Sequence, residues 1–248
     1  MSAELWLLIA GAVAAGFVQG LSGFAFSMVA MSFWVWGIEP RVAAVMAVFG
    51  SLTGQVVAAF SVRRALGFAA LAPFLAGGLV GVPLGIALLP SLDARLFKAV
   101  LGTVLVLWCP VMLFSQRLPR IYAGGRIADA IAGLAGGVMG GIGGFTGAIP
   151  TLWCTLRGLD KDAQRAIIQN FNLATLAATM AGYIATGAVT HEMLPLLPVV
   201  ALALLVPALI GARVYVGLSA AAFRNLVLAL LSLSGLAMLA SALPALLR

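Results

Sequence analysis

The chain has 248 residues, of which 63% are hydrophobic and 8% charged, with a formal net charge of +7. A soluble domain carries about 25% charged residues, so these charges are too few to cover a water-facing surface. The same hydrophobicity excludes disorder. What remains is an all-α polytopic membrane protein whose outer surface is solvated by lipid.

A spanning helix needs about 20 apolar residues. Apolar runs separated by polar clusters predict about eight transmembrane segments, near 5–36, 41–61, 66–90, 95–115, 127–156, 162–187, 193–216 and 221–246. The first has no basic region ahead of its apolar run, so it reads as a span and not a cleaved signal. The first and fifth segments are too long for one simple crossing and are dense in glycine. Each is expected to be a tilted helix, a broken helix, or a helix followed by a re-entrant piece.

Displacing the chain by 121 positions aligns Gly16 with Gly137, Gly20 with Gly141, Gly23 with Gly144, Phe24 with Phe145 and Glu39 with Asp160. At a displacement of 126, Gly85 meets Gly211, Phe97 meets Phe223 and Lys98 meets Arg224. The chain therefore reads as two four-segment membrane repeats, 1–118 and 127–248, joined by a basic loop at 119–126. Internal duplication of this kind puts a transporter's site at the repeat interface, with one repeat moving against the other.

The basic residues occur singly or in pairs between apolar runs, as expected of orientation and snorkelling at a lipid surface. Nucleic acid is not an expected partner. With eight simple crossings, Arg63, Arg64, Arg117, Arg120, Arg126 and Arg248 fall on one side. Arg41, Arg95, Lys98, Arg157, Lys161, Arg165 and Arg224 fall on the other. That is nearly balanced and fixes no orientation; the central basic loop is taken as cytoplasmic. Cys109 and Cys154 lie far apart in apolar runs, with no CxxC or Cys/His cluster, so neither a metal nor a cofactor is expected.

Glycine costs about 1 kcal/mol per residue in a helix interior. The run from Gly16 to Gly23 and that from Gly136 to Gly147 therefore suggest interrupted or closely packed helices. An interruption bares N–H groups at a helix N-terminus, which favours an anion. Close packing through small residues explains Gly16-x-x-x-Gly20 and Gly137-x-x-x-Gly141 equally well. Candidate substrate groups are Gln19, Gly20, Ser22, Gly23, Gly141, Gly143, Gly144 and Thr146, with Gln169, Asn170 and Asn172 from the next span. Ser51, Thr53 and Gln55 would line the pathway. Thr175 and Thr179 come after Asn172 on one helix face. Neutral amides and hydroxyls suit an anion that must bind and then leave. No Asp, Glu or Lys sits mid-span, so no carboxylate relay is visible. Asp129 and Arg213 are expected at the interface. Arg157 and Arg165 could draw anions to a vestibule, although loop charge is the simpler role.

Gly20-Leu21-Ser22-Gly23 also has the GxSG form found around the serine of rhomboid intramembrane proteases, with His191 as the sole base available. His191 lies in a loop beside Glu192, and the second repeat has Gly143 where Ser22 stands.

Two four-span repeats opening with Gly-x-x-Gly-Phe resemble the TauE/SafE sulfite exporter family, the toluene-sulfonate uptake permeases. The resemblance is carried by Gly20 to Phe24 with Glu39-Pro40-Arg41, and by Gly136 to Pro150 with Gln169, Asn170 and Asn172. It implies a multi-pass transporter of the bacterial inner membrane, not an enzyme. The implied substrate is sulfite or a small organosulfonate, usually exported and coupled to an ion gradient, with a proton as the candidate ion. An anion channel, or an uptake permease for another small anion, is the alternative. The first repeat has Val48, Phe49 and Ser51 where the second has Gln169, Asn170 and Asn172, so the second repeat is expected to build most of the site. Oligomeric state is not encoded.

Overall fold

The computed structural model describes residues 3–61, 68–114, 120–121, 123–214 and 220–246. Among them every regular element is helical: α1 (Ala3–Ser22), α2 (Phe26–Trp34), α3 (Pro40–Ser61), α4 (Phe68–Leu88), α5 (Ala94–Phe114), α6 (Gly125–Gly143), α7 (Ala148–Leu156), α8 (Lys161–Ala185), α9 (Leu196–Val214) and α10 (Ala220–Leu246). By length and composition, α1, α3, α4, α5 and α9 can each cross a membrane. The first half of α8 carries Gln164, Arg165, Gln169, Asn170 and Asn172, which lowers its apolar character.

The two long glycine-rich segments are helical hairpins. Helix α1 ends where Gly23 takes φ +84, and the Gly23 N–H donates to Gln19 O at 2.7 Å. The left-handed backbone, open to glycine without a Cβ penalty, turns the chain back on itself. Helix α2 then returns along α1, with Trp34 Nε1 donating to Leu8 O at 3.1 Å. Helix α6 ends in the same way at Gly144, φ +79, whose N–H donates to Gly140 O at 2.7 Å. Helix α7 returns along α6 until Trp153 Nε1 reaches Asp129 Oδ1 at 2.7 Å. Of the three forms expected for these segments, the helix continued by a short returning piece is the one present.

The main helix contacts run between the two halves of the chain. Helices α1 and α9 lie parallel, with Gly16 against Leu204 and Gly20 against Ala208. Helices α4 and α6 also lie parallel, with Gly77 against Ala130, Gly81 against Leu134 and Gly85 against Val138. The α6 glycines Gly133, Gly137 and Gly141 face back onto the carbonyls of Phe74, Gly78 and Val82. A Cβ at Gly81 would lie 2.2 Å from Leu134 O, and one at Gly137 2.1 Å from Gly78 O. The two backbones are therefore in direct contact along three turns, which lipid cannot drive but close packing and Cα–H···O contacts can. Helices α5 and α10 run antiparallel, with Gly102 and Leu105 against Gly235.

These directions reassign the basic residues. Each hairpin brings the chain back to the end it left, so the starts of α1 and α3 share one end of the bundle. There Arg41 Nε donates to Ala188 O at 3.1 Å beyond the end of α8, and its Nη2 to Gly187 O. Arg95 and Lys98, in the first turns of α5, lie at the same end. At the opposite end, the Ile121 N–H donates to Leu156 O at 2.8 Å, which joins the start of α6 to the end of α7. That end carries Arg120, Arg126, Arg157, Lys161, Arg165, Arg213 and Arg224 among the described residues. Simple crossings put the 157–165 group with Arg41 and Arg95; the hairpins put it opposite. Arg63, Arg64, Arg117 and Arg248 lie outside the described residues.

Candidate functional site

The two chain reversals meet in the middle of the bundle. A Cβ on Gly147 would lie 3.2 Å from the Phe24 ring and 2.9 Å from Asn172 Nδ2. Gly23 faces Gln169 Nε2, 3.7 Å from its Cβ position, and Gly144 faces Val48 and Ser27. Val48 and Gln169 are related by the same 121-residue displacement as Gly23 and Gly144. Each reversal therefore faces the same position of the long helix in the other half.

The short helices α2 and α7 begin at these reversals. Their N-cap positions, Ala25 and Gly147, provide no side-chain cap. The first-turn N–H groups of α2 have no carbonyl four residues back within the helix; at α7 only that of Ile149 is so placed, since the Ala148 N–H donates to Phe145 O at 3.3 Å and Pro150 has none. Both N-termini turn the positive end of a helix dipole to the centre of the protein. Trp108 of α5 braces both reversals. Its Nε1 donates to Ala148 O at 2.7 Å, and its ring stands edge-on to Phe24 with centroids 6.1 Å apart.

The polar residues expected at the site divide into three sets. One surrounds the second reversal: Thr146 Oγ1 donates to Asn172 Oδ1 at 2.9 Å, which leaves Asn172 Nδ2 beside Gly147. Gln169, Asn172 and Thr146 are buried, as are Gly143 and Gly144. A second set surrounds the first reversal. Gln55 Nε2 donates to Gly23 O at 2.6 Å, and Gln19 Nε2 to Ser51 O at 3.2 Å. Ser51 Oγ lies 2.6 Å from Ser27 Oγ. Ser22 is exposed, and its Oγ accepts from the Phe24 and Ala25 N–H groups at 3.4 and 3.3 Å.

The third set is turned elsewhere. Gly20 packs against the α9 backbone and Gly141 against that of α4, while Gly141 O accepts from Tyr183 Oη at 2.7 Å. Asn170 Nδ2 donates to its own helix at Ala166 O, and Thr53, Thr175 and Thr179 bond carbonyls one turn back. Arg165 is exposed. Arg157 is paired: its Nη1 lies 2.7 Å from Asp129 Oδ1. Asp129 is 8% exposed, a correction to its expected interfacial place. It is held in by Arg157 and the Trp153 indole, which satisfy a carboxylate that would otherwise be costly to bury. Arg213 is exposed, as expected.

Sequence reasoning missed Ser27, Tyr183, Trp108 and the α4 glycines. Ser27 aligns with Ala148 at the 121 displacement, so the repeat gave no hint of it. The Gly77-x-x-x-Gly81-x-x-x-Gly85 spacing was available as a signal.

His191 and Ser22 form no catalytic pair. His191 precedes α9 at the end of the bundle where α1 begins, and Ala208 of α9 is the residue beside Gly20. At 1.5 Å rise per residue the histidine is roughly 25 Å from that level.

The family model for the sulfite exporter TauE/SafE matches residues 8–238. The chain belongs to the TauE/SafE family. No curated protein and no solved structure matches it. As a TauE/SafE protein it is a multi-pass membrane transporter of the anion-exporter type and not an enzyme. Its surroundings are lipid and its cargo class is the small anion.

Proposed function

We propose that this TauE/SafE protein is a secondary transporter that exports sulfite or a small organosulfonate across the bacterial inner membrane. The observation that carries this reading is the meeting of two uncapped helix N-termini, at Ala25 and Gly147, in a buried setting of neutral amides and hydroxyls. Such a site offers N–H donors and dipole ends to negative oxygens without a lysine or arginine that would hold them too firmly. Asn172, Gln169 and Thr146, with the backbone around Gly23, Gly143 and Gly144, are the proposed substrate groups. The alternative, a channel, would show conductance with no counter-ion dependence.

We read the chain as two four-segment repeats of opposite orientation, each opened by a hairpin. The matching ends of α1 and α6, the matching returns of α2 and α7, and the parallel pairs α1–α9 and α4–α6 support this. Because the tightest pairs join the halves, the moving body in alternating access combines helices from both. The end rich in arginine and lysine is the cytoplasmic one by the positive-inside rule. Ser22, the exposed residue of the first reversal, closes α1 as that helix runs towards this end. Loading of an exported anion from the cytoplasm fits that exposure.

Sulfite flux from proteoliposomes tests the reading. Asn172→Leu should abolish flux while leaving expression intact. Undiminished flux in that variant would remove Asn172 from the site, and absence of sulfite-dependent flux in the native protein would defeat the assignment of cargo.

A further inference from the structure

Gln19 presents the wrong polarity for an anion. Its donor, Nε2, is committed to Ser51 O at 3.2 Å. Reversing the amide would set two carbonyl oxygens against each other, so the orientation is fixed by its partner. What remains is Oε1, a buried acceptor with no hydrogen-bond partner, on a residue only 5% exposed. Gly54 lets this amide lie flat on α3, since a Cβ there would come within 1.8 Å of Nε2.

The groups joined to Gln19 are oxygens as well. Ser51 Oγ lies 2.6 Å from Ser27 Oγ, and Ser27 Oγ reaches Ala47 O at 3.3 Å. The amide, two hydroxyls and two main-chain carbonyls sit beside the C-terminal turn of α1, whose dipole end is negative. Unwound backbone and half-helix C-termini are where transporters hold coupling cations. Among the described residues there is no group of three or more His, Cys, Asp or Glu that could hold a metal ion. A neutral oxygen cage of this kind suits a monovalent ion over a divalent one, and with no titratable member it is unsuited to carrying a proton.

We propose that Gln19 Oε1 and the hydroxyls of Ser27 and Ser51 form a sodium site that couples cation binding to anion transport, the carbonyls of Ala47 and Ser51 being filled by their own helix and by Ser27 Oγ and Gln19 Nε2. This rests on the transporter reading above. The coupling route is short: Ser27 Oγ lies 2.5 Å from the Cβ position of Gly144, so the backbone of the second reversal rests on the cation cage. Ser27 also belongs to the first turn of α2, one of the two proposed anion-binding N-termini. Sodium drawn to the serines and the Gln19 oxygen acts on both elements that the anion needs; an inward sodium gradient powers export only by exchange, so sodium and the anion are bound in turn.

The test uses the full chain in detergent, melted in sodium, potassium or choline chloride at equal ionic strength, with and without sulfite. Sodium alone should raise the melting temperature saturably, and potassium and choline should not. Gln19→Leu and Ser51→Ala should weaken the half-saturating sodium concentration at least about tenfold, with the sulfite-dependent shift in choline retained. Ser51→Ala, which keeps Gln19 and its donor bond to the Ser51 carbonyl, serves if Gln19→Leu fails to fold. In proteoliposomes an imposed sodium gradient should drive sulfite flux. Equal melting in all three salts would overturn the proposal, as would a sodium shift that survives Gln19→Leu or flux driven by a pH gradient alone. A sodium shift with no sulfite shift in any salt would leave the cation site standing and defeat the anion reading instead.

Discussion

The contact between α4 and α6 makes a quantitative prediction. A Cβ at Gly137 would sit 2.1 Å from Gly78 O, where ordinary contact begins near 3.4 Å. Gly137→Ala must therefore part the helices by about 1.3 Å at that level, the difference of those two distances. The neighbouring contacts at Gly133 and Gly141 face carbonyls of the same helix, so the separation loosens them too. Overpacking of a tight interface costs about 1–3 kcal/mol. Because the clash is with a backbone carbonyl that cannot swing aside, the upper part of that range applies, about 2–3 kcal/mol; alanine recovers about 1 kcal/mol through its better helix propensity, so the net loss is about 1–2 kcal/mol. For a chain of this size that lowers Tm by roughly 2–8 °C, read by intrinsic tryptophan fluorescence on heating in detergent. Gly37→Ala is the control, because its Cβ meets only a Leu7 methyl at 3.0 Å, the movable end of a side chain. If Gly137→Ala melts with the control or above it, the backbone contact does not govern this interface.

The Asp129–Arg157 pair predicts a coupling. Arg157→Met strands a buried carboxylate and should lower Tm more than the double change Arg157→Met with Asp129→Asn; equal losses would show that the pair contributes nothing to stability. Orientation is open to cysteine labelling, since native Cys109 and Cys154 are buried. A cysteine at Arg126 should react with an impermeant maleimide only in inside-out vesicles, and one at Lys98 only in right-side-out vesicles; the reverse pattern would invert the assignment. Ser22→Ala should keep most sulfite flux, because Ser22 Oγ accepts only from the Phe24 and Ala25 N–H groups of the turn. Complete loss would give the hydroxyl a chemical role that a transporter does not need.

Much of the candidate site was legible in the sequence. The hydrophobic composition dictates the solvent, and glycine at positions 23 and 144 dictates where the backbone can enter the left-handed region. These are local properties, and sequence determines them directly. The same holds for Gln169 and Asn172, amides too polar to stay in a span without a partner. The direction of the chain beyond each glycine was not legible. A break at Gly23 permits a bent crossing or a full return, and the Trp34–Leu8 hydrogen bond, between residues 26 positions apart, selects the return. That choice reverses the side on which each segment between the two hairpins emerges, and the second return, at Gly144, restores it for those that follow, which is why a basic-residue count over simple crossings stayed balanced. Only packing decides whether a glycine faces a ligand or another helix, so Gly20 and Gly141 could not be told apart from Gly23 and Gly144 by spacing. The chemical sense of Gln19 is likewise tertiary. Its residue type offers a donor and an acceptor, and the carbonyl of Ser51, brought up by a different helix, takes the donor and leaves the oxygen.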